Sequence, residues 1–437
     1  MKKAVMLRVV AVSAVAVLGL AGCTPGTEGG GNDGNAPDEI RVGFVFPTSG
    51  SFSALGTDQA NGARLAIEWA NKNGGINGVP IRIIEGDTQS DPGVGATVAQ
   101  RLIDQDDVDI LMGSFSSGIS QSLLPVAQRN NVVLWEVGAV SPTINADGNT
   151  NFIRTVGGAV TYAQADIDFI QNFIAPELGK DPADVRIAVG HEDGAFGTSV
   201  ADAIVELAEK SGLNIVLRDS WSATTTDMTP FVLRVADAKP DVLLMTPIVA
   251  DTFLFWEAAR TQNLQLSAVI GSSGFSSSTF PERFGAAGIE GVFDVEAPAV
   301  EYMSSDGLQP EVRALLDGWR DQFKADYGHE CLVHCGDGLG GGYILVSDVL
   351  PRALEKFGNF DAESIIAAAA ETNIPEGGTP QGFGAHFVKA GTPVTGGDND
   401  EARSYIMQWR DGQLKVVWPE AFAVDEPMFP MPTWGER

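Results

Sequence analysis

Short apolar runs alternate with amphipathic helical stretches along most of the chain, and this alternation limits the possible folds more than any other feature. The run Ile40–Phe46 is typical of a buried strand. After a polar loop, Ala63, Ala66 and Ala70 follow at the i, i+3, i+7 spacing of one helix face. Strands and helices that alternate in this way form parallel sheets through right-handed crossovers. The sequence therefore predicts an α/β fold whose sheet is covered by helices on both faces.

The alternation occurs twice, which indicates two lobes. A chain of 437 residues exceeds the roughly 250–300 residues that one core can organise. After Val292 the pattern becomes mainly helical, and it closes with two strand-like segments joined at Asp411-Gly412. The late helices are too few for a third domain, so we expect them to return to the first lobe. We predict two doubly wound, Rossmann-like lobes joined by a hinge that several segments of the chain cross.

The N-terminal segment has the features of an export signal. Lys2, Lys3 and Arg8 precede the uncharged apolar run Val9–Gly22. As a helix this run would span about 21 Å, short of the roughly 30 Å hydrocarbon core of a membrane, so we interpret it as a signal peptide. The run ends in Leu20-Ala21-Gly22-Cys23, which resembles the lipobox of bacterial lipoproteins. That resemblance implies a lipid on Cys23; the alternative is a plain signal peptide cut elsewhere.

The residues after the signal, and the overall charge, favour a function outside the cytoplasm. Thr24–Pro37 is rich in glycine with almost nothing apolar, as expected of a flexible tether. The chain carries 28 Lys+Arg against 57 Asp+Glu, a formal charge of −29. This excess of acid argues against binding to nucleic acid or to anionic lipid headgroups, which both require clustered basic residues. A dissolved partner other than nucleic acid is therefore expected.

These observations divide the chain into six predicted segments. They are a signal peptide (1–22), a tether (23–38), lobe 1 (39–157), lobe 2 (158–293), a return to lobe 1 (294–402), and a return to lobe 2 with the C-terminal tail (403–437).

Three loops at the expected carboxyl edge of the first sheet are built of glycine and small hydroxyl residues. They are Pro47–Phe52, Ser114–Gly118 and Gly138–Pro142. Because ligands of such sheets bind just beyond the strand ends, these loops could offer hydroxyl and amide groups to a small polar or anionic group. The alternative is that serine and glycine only cap helices and form turns there.

Five short motifs resemble the leucine/isoleucine/valine-binding proteins of bacterial ABC importers. They are Val42–Gly50, Asn73–Gly78, Asp87–Pro92, Gly113–Ser117 and Ala139–Ser141. The resemblance extends over roughly residues 39 to 418. It implies a type I periplasmic binding protein fold without a cofactor. It also implies a monomer that closes on a small ligand and presents it to the permease subunits of the transporter.

The resemblance also implies ligand-binding residues in the first lobe. In this family a serine hydroxyl and nearby backbone hold the ligand carboxylate, positions matched here by Ser117 and the segment Phe115-Ser116. The backbone carbonyl matched by Ala139 and the hydroxyl matched by Ser141 could meet a ligand amino group.

In the second lobe the chain departs from the family pattern. Phe196 keeps an aromatic face where a tyrosine is common, and Ile248 replaces a second tyrosine. Ser273 stands where amino-acid binders place an acid against the ligand ammonium. Losing that carboxylate removes a charge-assisted hydrogen bond worth about 1.5–3 kcal/mol. On this ground we expect a small carboxylic acid, including an aromatic one, or a neutral amide to fit better than leucine.

Glu136 is unexpected within an apolar strand, because a buried carboxylate needs a partner or a raised pKa. It could meet a cationic group of the ligand and so replace the missing acid. The alternative is a structural carboxylate whose hydrogen bonds are satisfied within the protein.

Cys331 and Cys335 are the only cysteines besides Cys23. In an oxidising compartment we expect them to form a disulfide. A metal site with the neighbouring His329 and His334, or two free thiols, are the alternatives.

Competing functional motifs are weak. Gly336–Gly341 matches G-x-G-x-x-G by letter but follows no apolar strand, so we interpret it as a flexible loop. The sequence has no G-x-S-x-G elbow, although His191 could face Ser117 as in a serine hydrolase. We expect a binding protein rather than an enzyme. A sensory protein with the same fold stays open as an alternative.

Overall fold

Two β-sheets form the centres of two lobes. The structure, a computed structural model, describes residues 38–437. The predicted signal peptide (1–22), the predicted lipidation site Cys23 and nearly all of the predicted tether (23–38) lie outside the described residues. Within 38–437, no helix combines the length and the apolar character needed to cross a membrane.

The first sheet has five strands, all parallel, in the order β2-β1-β3-β4-β5. They are β1 (Ile40–Phe46), β2 (Ile81–Asp87), β3 (Ile110–Gly113), β4 (Val133–Glu136) and β5 (Phe152–Arg154). Side chains alternate across the sheet, so Val42 and Phe44 enter one core while Val45 enters another on the opposite face. The predicted α/β architecture is confirmed.

The second sheet has seven strands in the order β12-β11-β10-β9-β8-β6-β7. They are β6 (Arg186–Glu192), β7 (Asn214–Trp221), β8 (Val242–Thr246), β9 (Ala268–Gly271), β10 (Phe293–Glu296), β11 (Tyr405–Arg410) and β12 (Gln413–Trp418). Strands β6 to β10 are parallel, whereas β11 is antiparallel to both of its neighbours. The sheet therefore includes β10, which begins where the sequence predicts the second lobe to end.

The helices lie between these strands and in the segment that precedes β11. They are α1 (Ser53–Lys72), α2 (Pro92–Asp106), α3 (Ser117–Arg129), α4 (Ala159–Phe169), α5 (Ala175–Leu178), α6 (Ala195–Lys210), α7 (Thr229–Ala238), α8 (Val249–Thr261), α9 (Thr279–Phe284), α10 (Pro310–Tyr327), α11 (Val333–Ile344), α12 (Leu350–Phe357) and α13 (Ala362–Ala369). Within the described residues the chain passes between the lobes three times. The crossings lie between β5 and α4, between β10 and α11, and between α13 and β11.

Helix α11 packs closely on α1, and this contact corrects our interpretation of Gly336–Gly341 as a flexible loop. A side chain at Gly338 would bring its Cβ to 1.9 Å from the Gln59 carbonyl oxygen, and one at Gly62 to 2.0 Å from the Cys335 carbonyl oxygen. Each glycine costs an isolated helix about 1 kcal/mol relative to alanine. Tertiary packing, rather than local propensity, therefore makes this glycine-rich segment helical.

Candidate functional site

The carboxyl ends of both sheets face one cavity of about 250 Å³. Its walls come from loops that follow strands of both sheets, from the end of β10 and from α4 and α11. Helices α3 and α6, one from each lobe, both line the cavity and contact each other. The two lobes are therefore closed around this space.

The wall from the first lobe is the N-terminus of α3. Phe115, Ser116, Ser117 and Gly118 line the cavity there. The Ser116 side chain makes no capping hydrogen bond, and the first N–H groups of a helix have no acceptor within it. The Ser117 hydroxyl oxygen accepts the Ser141 N–H at 3.2 Å, which leaves its own proton to donate. This end of α3 can therefore hold an anionic group.

The wall from the second lobe also contains a helix N-terminus, but that of α6 is already occupied. The Glu192 carboxylate accepts the Gly197 N–H at 2.6 Å and also the Gly194 N–H. Burial raises the pKa of Glu192, while these two backbone hydrogen bonds lower it. Phe196 and Ile248 complete this wall with apolar surface.

Two acidic side chains and an imidazole form the floor of the cavity. His334 Nε2 lies 3.8 Å from a Glu296 carboxylate oxygen, and His334 Nδ1 lies 3.7 Å from one of Asp337. The Ser276 hydroxyl donates to Glu296 at 2.6 Å, and the Gln381 amide donates to Asp337 at 2.9 Å. Burial raises the pKa of both carboxyls, that of Asp337 strongly. The floor can therefore accept hydrogen bonds from a cationic or neutral donor group.

Sequence reasoning did not assign Glu296 or Asp337 to the site, nor Tyr162, which lines the cavity beside them. Glu296 ends the four-residue strand β10, and Asp337 lies in the run that we interpreted as a loop. The sequence does contain one indication of these two carboxyls: each acid lies inside an apolar or glycine-rich segment, where an unpaired carboxylate is costly.

Six of the residues predicted to bind ligand line this cavity. They are Phe115, Ser116, Ser117, Phe196, Ile248 and Ser273. Both Phe115 (φ 71°) and Ser273 (φ 53°) have left-handed backbone conformations, which are uncommon for residues other than glycine and which recur at binding sites.

Ala139 and Ser141 are not among the lining residues. The Ala139 carbonyl accepts a hydrogen bond from the buried Arg154 guanidinium at 3.4 Å. The Ser141 hydroxyl pairs with that of Thr143 at 2.7 Å. Their groups are thus engaged within the protein, and Ser141 acts on the site through its backbone contact to Ser117.

Glu136 lies outside the cavity lining as well, and its carboxylate is fully buried. It accepts the N–H groups of Ser114 (2.9 Å), Gly138 and Ala139 (both 2.8 Å), and also the Ser120 hydroxyl. Glu136 thus ties together the loops after β3 and β4. Its environment corresponds to the structural alternative rather than to contact with a ligand.

The positions of the cysteines and histidines bear on the predicted disulfide and on the metal-site and hydrolase alternatives. Cys331 and Cys335 are joined in a disulfide with their Cα atoms 5.2 Å apart. Among residues 38–437, no cluster of three or more His, Cys, Asp or Glu side chains is arranged to hold a metal ion. His191 does not line the cavity, and its Nδ1 lies 2.8 Å from the Glu192 carbonyl oxygen. It is therefore not placed to serve Ser117 as a base.

Two α/β lobes closed around a small cavity with polar strand ends define a bilobal solute-binding protein. A family model described as "Periplasmic binding protein" matches residues 39–413, and the chain belongs to this family, in its leucine/isoleucine/valine-binding-protein-like group.

Relatives and solved structures agree with this assignment. Leu/Ile/Val-binding protein homolog 7 of Brucella suis biovar 1 (strain 1330) is 32% identical over 399 residues, which cover 90% of this chain and 95% of the relative. Homolog 8 of Brucella abortus (strain 2308) is 31% identical over 394 residues, covering 90% and 93%.

The fold is shared with more distant proteins of known structure. One is the branched-chain amino acid transporter substrate-binding protein LivJ from Streptococcus pneumoniae in complex with isoleucine. It has a TM-score of 0.70 at 19% identity, covering 87% of this chain and 100% of that chain. Another is a solute-binding protein of an ABC transporter from Rhodopseudomonas palustris BisB5 in complex with 3,4-dihydroxybenzoic acid. Its TM-score is 0.69 at 21% identity, with 92% and 100% covered.

Proposed function

We propose that this protein is the lipid-anchored, solute-binding component of an ABC importer and that its ligand is a small apolar amino acid. The observation that carries the ligand proposal is the presence, in one closed cavity, of an open helix N-terminus and two buried carboxyls. At about 250 Å³ the cavity is smaller than the roughly 300–1,000 Å³ of sites for drug-sized molecules.

The ligand carboxylate binds at the N-terminus of α3 in this proposal. The Ser117 hydroxyl and the free N–H groups of the first helical turn donate to it, and the positive end of the helix dipole favours its charge. Burial makes each of these interactions stronger than it would be in water.

The ligand ammonium binds at the floor, beside the carboxyls of Glu296 and Asp337 and the ring of His334. From the sequence we expected a carboxylic acid or a neutral amide, because Ser273 stands where an acid would meet the ligand ammonium. Glu296 and Asp337 line the same cavity and can take over the role of that acid. Because burial raises the pKa of both groups, an arriving ammonium would favour their ionised forms. The apolar part of the ligand then lies against Phe52, Phe196 and Ile248.

Transport follows from closure of the two lobes. A ligand that contacts both lobes stabilises the closed state by the difference between its affinities for the closed and open states. The permease would recognise the closed lobes. The lipid on Cys23 would keep the protein at the membrane, and incorporation of an alkyne-labelled fatty acid, lost in Cys23→Ala, tests this anchoring.

The ligand class is tested with three compounds that differ in one charged group at a time. Leucine has both groups, leucinamide lacks the carboxylate, and 4-methylpentanoate lacks the amine. Bound ligand raises the melting temperature by mass action. We expect the largest thermal shift with leucine. An equal or larger shift with 4-methylpentanoate would favour the carboxylic acid hypothesis. An equal or larger shift with leucinamide would show that the carboxylate is not required, and no shift with any of the three compounds would refute the ligand class.

A further inference from the structure

We propose that the Cys331–Cys335 disulfide is a positioning element for the ligand cavity: it holds the first turn of α11 so that the His334 ring stays at the cavity floor. The inference depends on the proposed function only in treating His334 as a ligand-facing residue.

The first turn of α11 has little local reason to be helical. Five of the twelve residues of this helix are glycines, and the Leu332 side chain makes no capping hydrogen bond at its N-terminus. Glycine disfavours a helix because it gives up the most conformational freedom, and an uncapped N-terminus frays readily. Local sequence therefore does not order this turn, which depends on packing against α1 and on the disulfide.

The disulfide restrains the first turn of α11. Cys335 lies in the first turn of α11, and Cys331 lies just before the helix. Both cysteines are 1% exposed. The Cys331 carbonyl accepts the Glu301 N–H at 3.1 Å, and the Cys335 carbonyl packs against Gly62 of α1. The bond thus ties the turn to the segment that follows β10 as well as to the first lobe.

His334 lies between the two cysteines and is held only loosely by its own contacts. Its Nε2 is 3.4 Å from the Ser276 hydroxyl, and its distances to Glu296 and Asp337 are 3.8 and 3.7 Å. The edge-on contact with the Phe115 ring has a centroid distance of 5.2 Å. Asp337, in contrast, has a hydrogen bond of 2.9 Å from Gln381. Loss of the disulfide should therefore displace His334 first.

The ring-current shift that Phe115 imposes on His334 gives a direct readout. The full chain is labelled with ring-¹³C histidine, and the signal of His334 is assigned with His334→Gln. Phe115→Leu then gives the resonance that His334 has without this contact. In Cys331→Ala/Cys335→Ala we expect the resonance to move to that reference value, while the His191 resonance stays in place.

A matched control separates positioning from a general loss of stability. Asp361→Ala removes the side chain that caps α13 by accepting the Ser364 N–H at 2.8 Å, in a helix that does not line the cavity. The His334 resonance should be unchanged in this variant. A resonance that stays in place without the disulfide, or that moves equally in Asp361→Ala, would overturn the proposal.

Reduction of the wild-type chain provides the same comparison if the double variant does not fold. One dithiothreitol molecule transfers two electrons and two protons to the S–S bond, which yields two thiols and the cyclic disulfide of the reagent. The His334 resonance should then move as in the double variant; a fixed resonance in the reduced chain counts against the proposal.

Affinity for L-leucine, used as the probe, connects the position of His334 to binding. Loss of preorganisation should weaken binding about tenfold in the double variant and much less in Asp361→Ala. If the wild type does not bind L-leucine, the proposed ligand class fails, whereas the resonance result still decides the role of the disulfide.

Discussion

Helices α3 and α6 meet the cavity in the same way, one from each lobe, but they differ in what occupies their N-termini. At α3 the Ser116 side chain makes no cap and the first N–H groups are free for a ligand. At α6 the Glu192 carboxylate already accepts the N–H groups of Gly194 and Gly197. Both helices thus present an N-terminus to the cavity, and at α6 the Glu192 carboxylate already accepts two of the N–H groups.

This difference fixes the orientation of the proposed ligand. A carboxylate is attracted to the open end of α3 and is repelled by Glu192 at the end of α6. An ammonium group is drawn to the carboxyls of Glu296 and Asp337 at the floor. The proposed ligand would therefore have one favourable orientation, with its carboxylate toward α3 and its ammonium toward the floor.

The substitution with the largest expected effect on ligand affinity gives the N-terminus of α3 a carboxylate of its own. Gly118→Asp places one in the first turn of α3, where the nearest atom to a new Cβ, the Ser116 hydroxyl oxygen, is 3.9 Å away, so the side chain has room. Like charges brought together in a buried site cost several kcal/mol. We expect leucine affinity, measured by calorimetry, to fall at least about 100-fold, or about 2.7 kcal/mol.

Gly118→Asn is the control for this substitution, because it has nearly the same shape without the charge. It should retain much of the affinity. Equal losses in the two variants would mean that bulk rather than charge blocks the site, and an unchanged affinity in Gly118→Asp would place the ligand anion elsewhere.

A smaller effect distinguishes the serine that faces the cavity from the one behind it. Ser117→Ala removes a donor to the ligand carboxylate and should weaken leucine binding by about 1–3 kcal/mol. Ser141→Ala should change binding by no more than about 0.5 kcal/mol, because its hydroxyl is paired with that of Thr143. If the two variants have the same affinity, Ser117 has no special role.

The smallest effect concerns the occupied end of α6. Because burial raises the pKa of Glu192, the stability that its protonated form provides is present below about pH 4.3, its usual pKa, and is lost as the pH rises through the raised value. Glu192→Gln keeps an acceptor for the helix end and removes this titration. Urea unfolding at a series of pH values should show a flatter profile for the variant; an identical profile would contradict the raised pKa.

The parts of the molecule that follow from local pattern could be predicted from the sequence. The alternation of strands and helices predicts both sheets. Ligands of such sheets bind beyond the carboxyl ends of the strands, and Ser117, Phe196 and Ser273 line one cavity there. The disulfide was expected from the spacing of Cys331 and Cys335 and is present in the structure.

The rest depends on tertiary contacts that local pattern does not contain. Strand β10 has four residues, too few for a clear period, so Glu296 at its end was missed. Asp337 lies in a glycine-rich helix that is stabilised by packing on α1 rather than by its own propensity. The sequence places Ser141 and Glu136 at the correct edge of the sheet but does not indicate which way their side chains point.

The claim that the ligand carboxylate binds at the N-terminus of α3 and not at that of α6 is tested most directly by the response of the amide groups at both ends to a ligand. The amide proton shifts of Gly118 in α3 and of Gly194 at α6 can be followed by NMR while leucine is added. We predict a large downfield shift for Gly118, as its N–H begins to donate to the ligand carboxylate, and little change for Gly194, whose N–H already donates to Glu192. A shift at Gly194 with none at Gly118 would contradict the account.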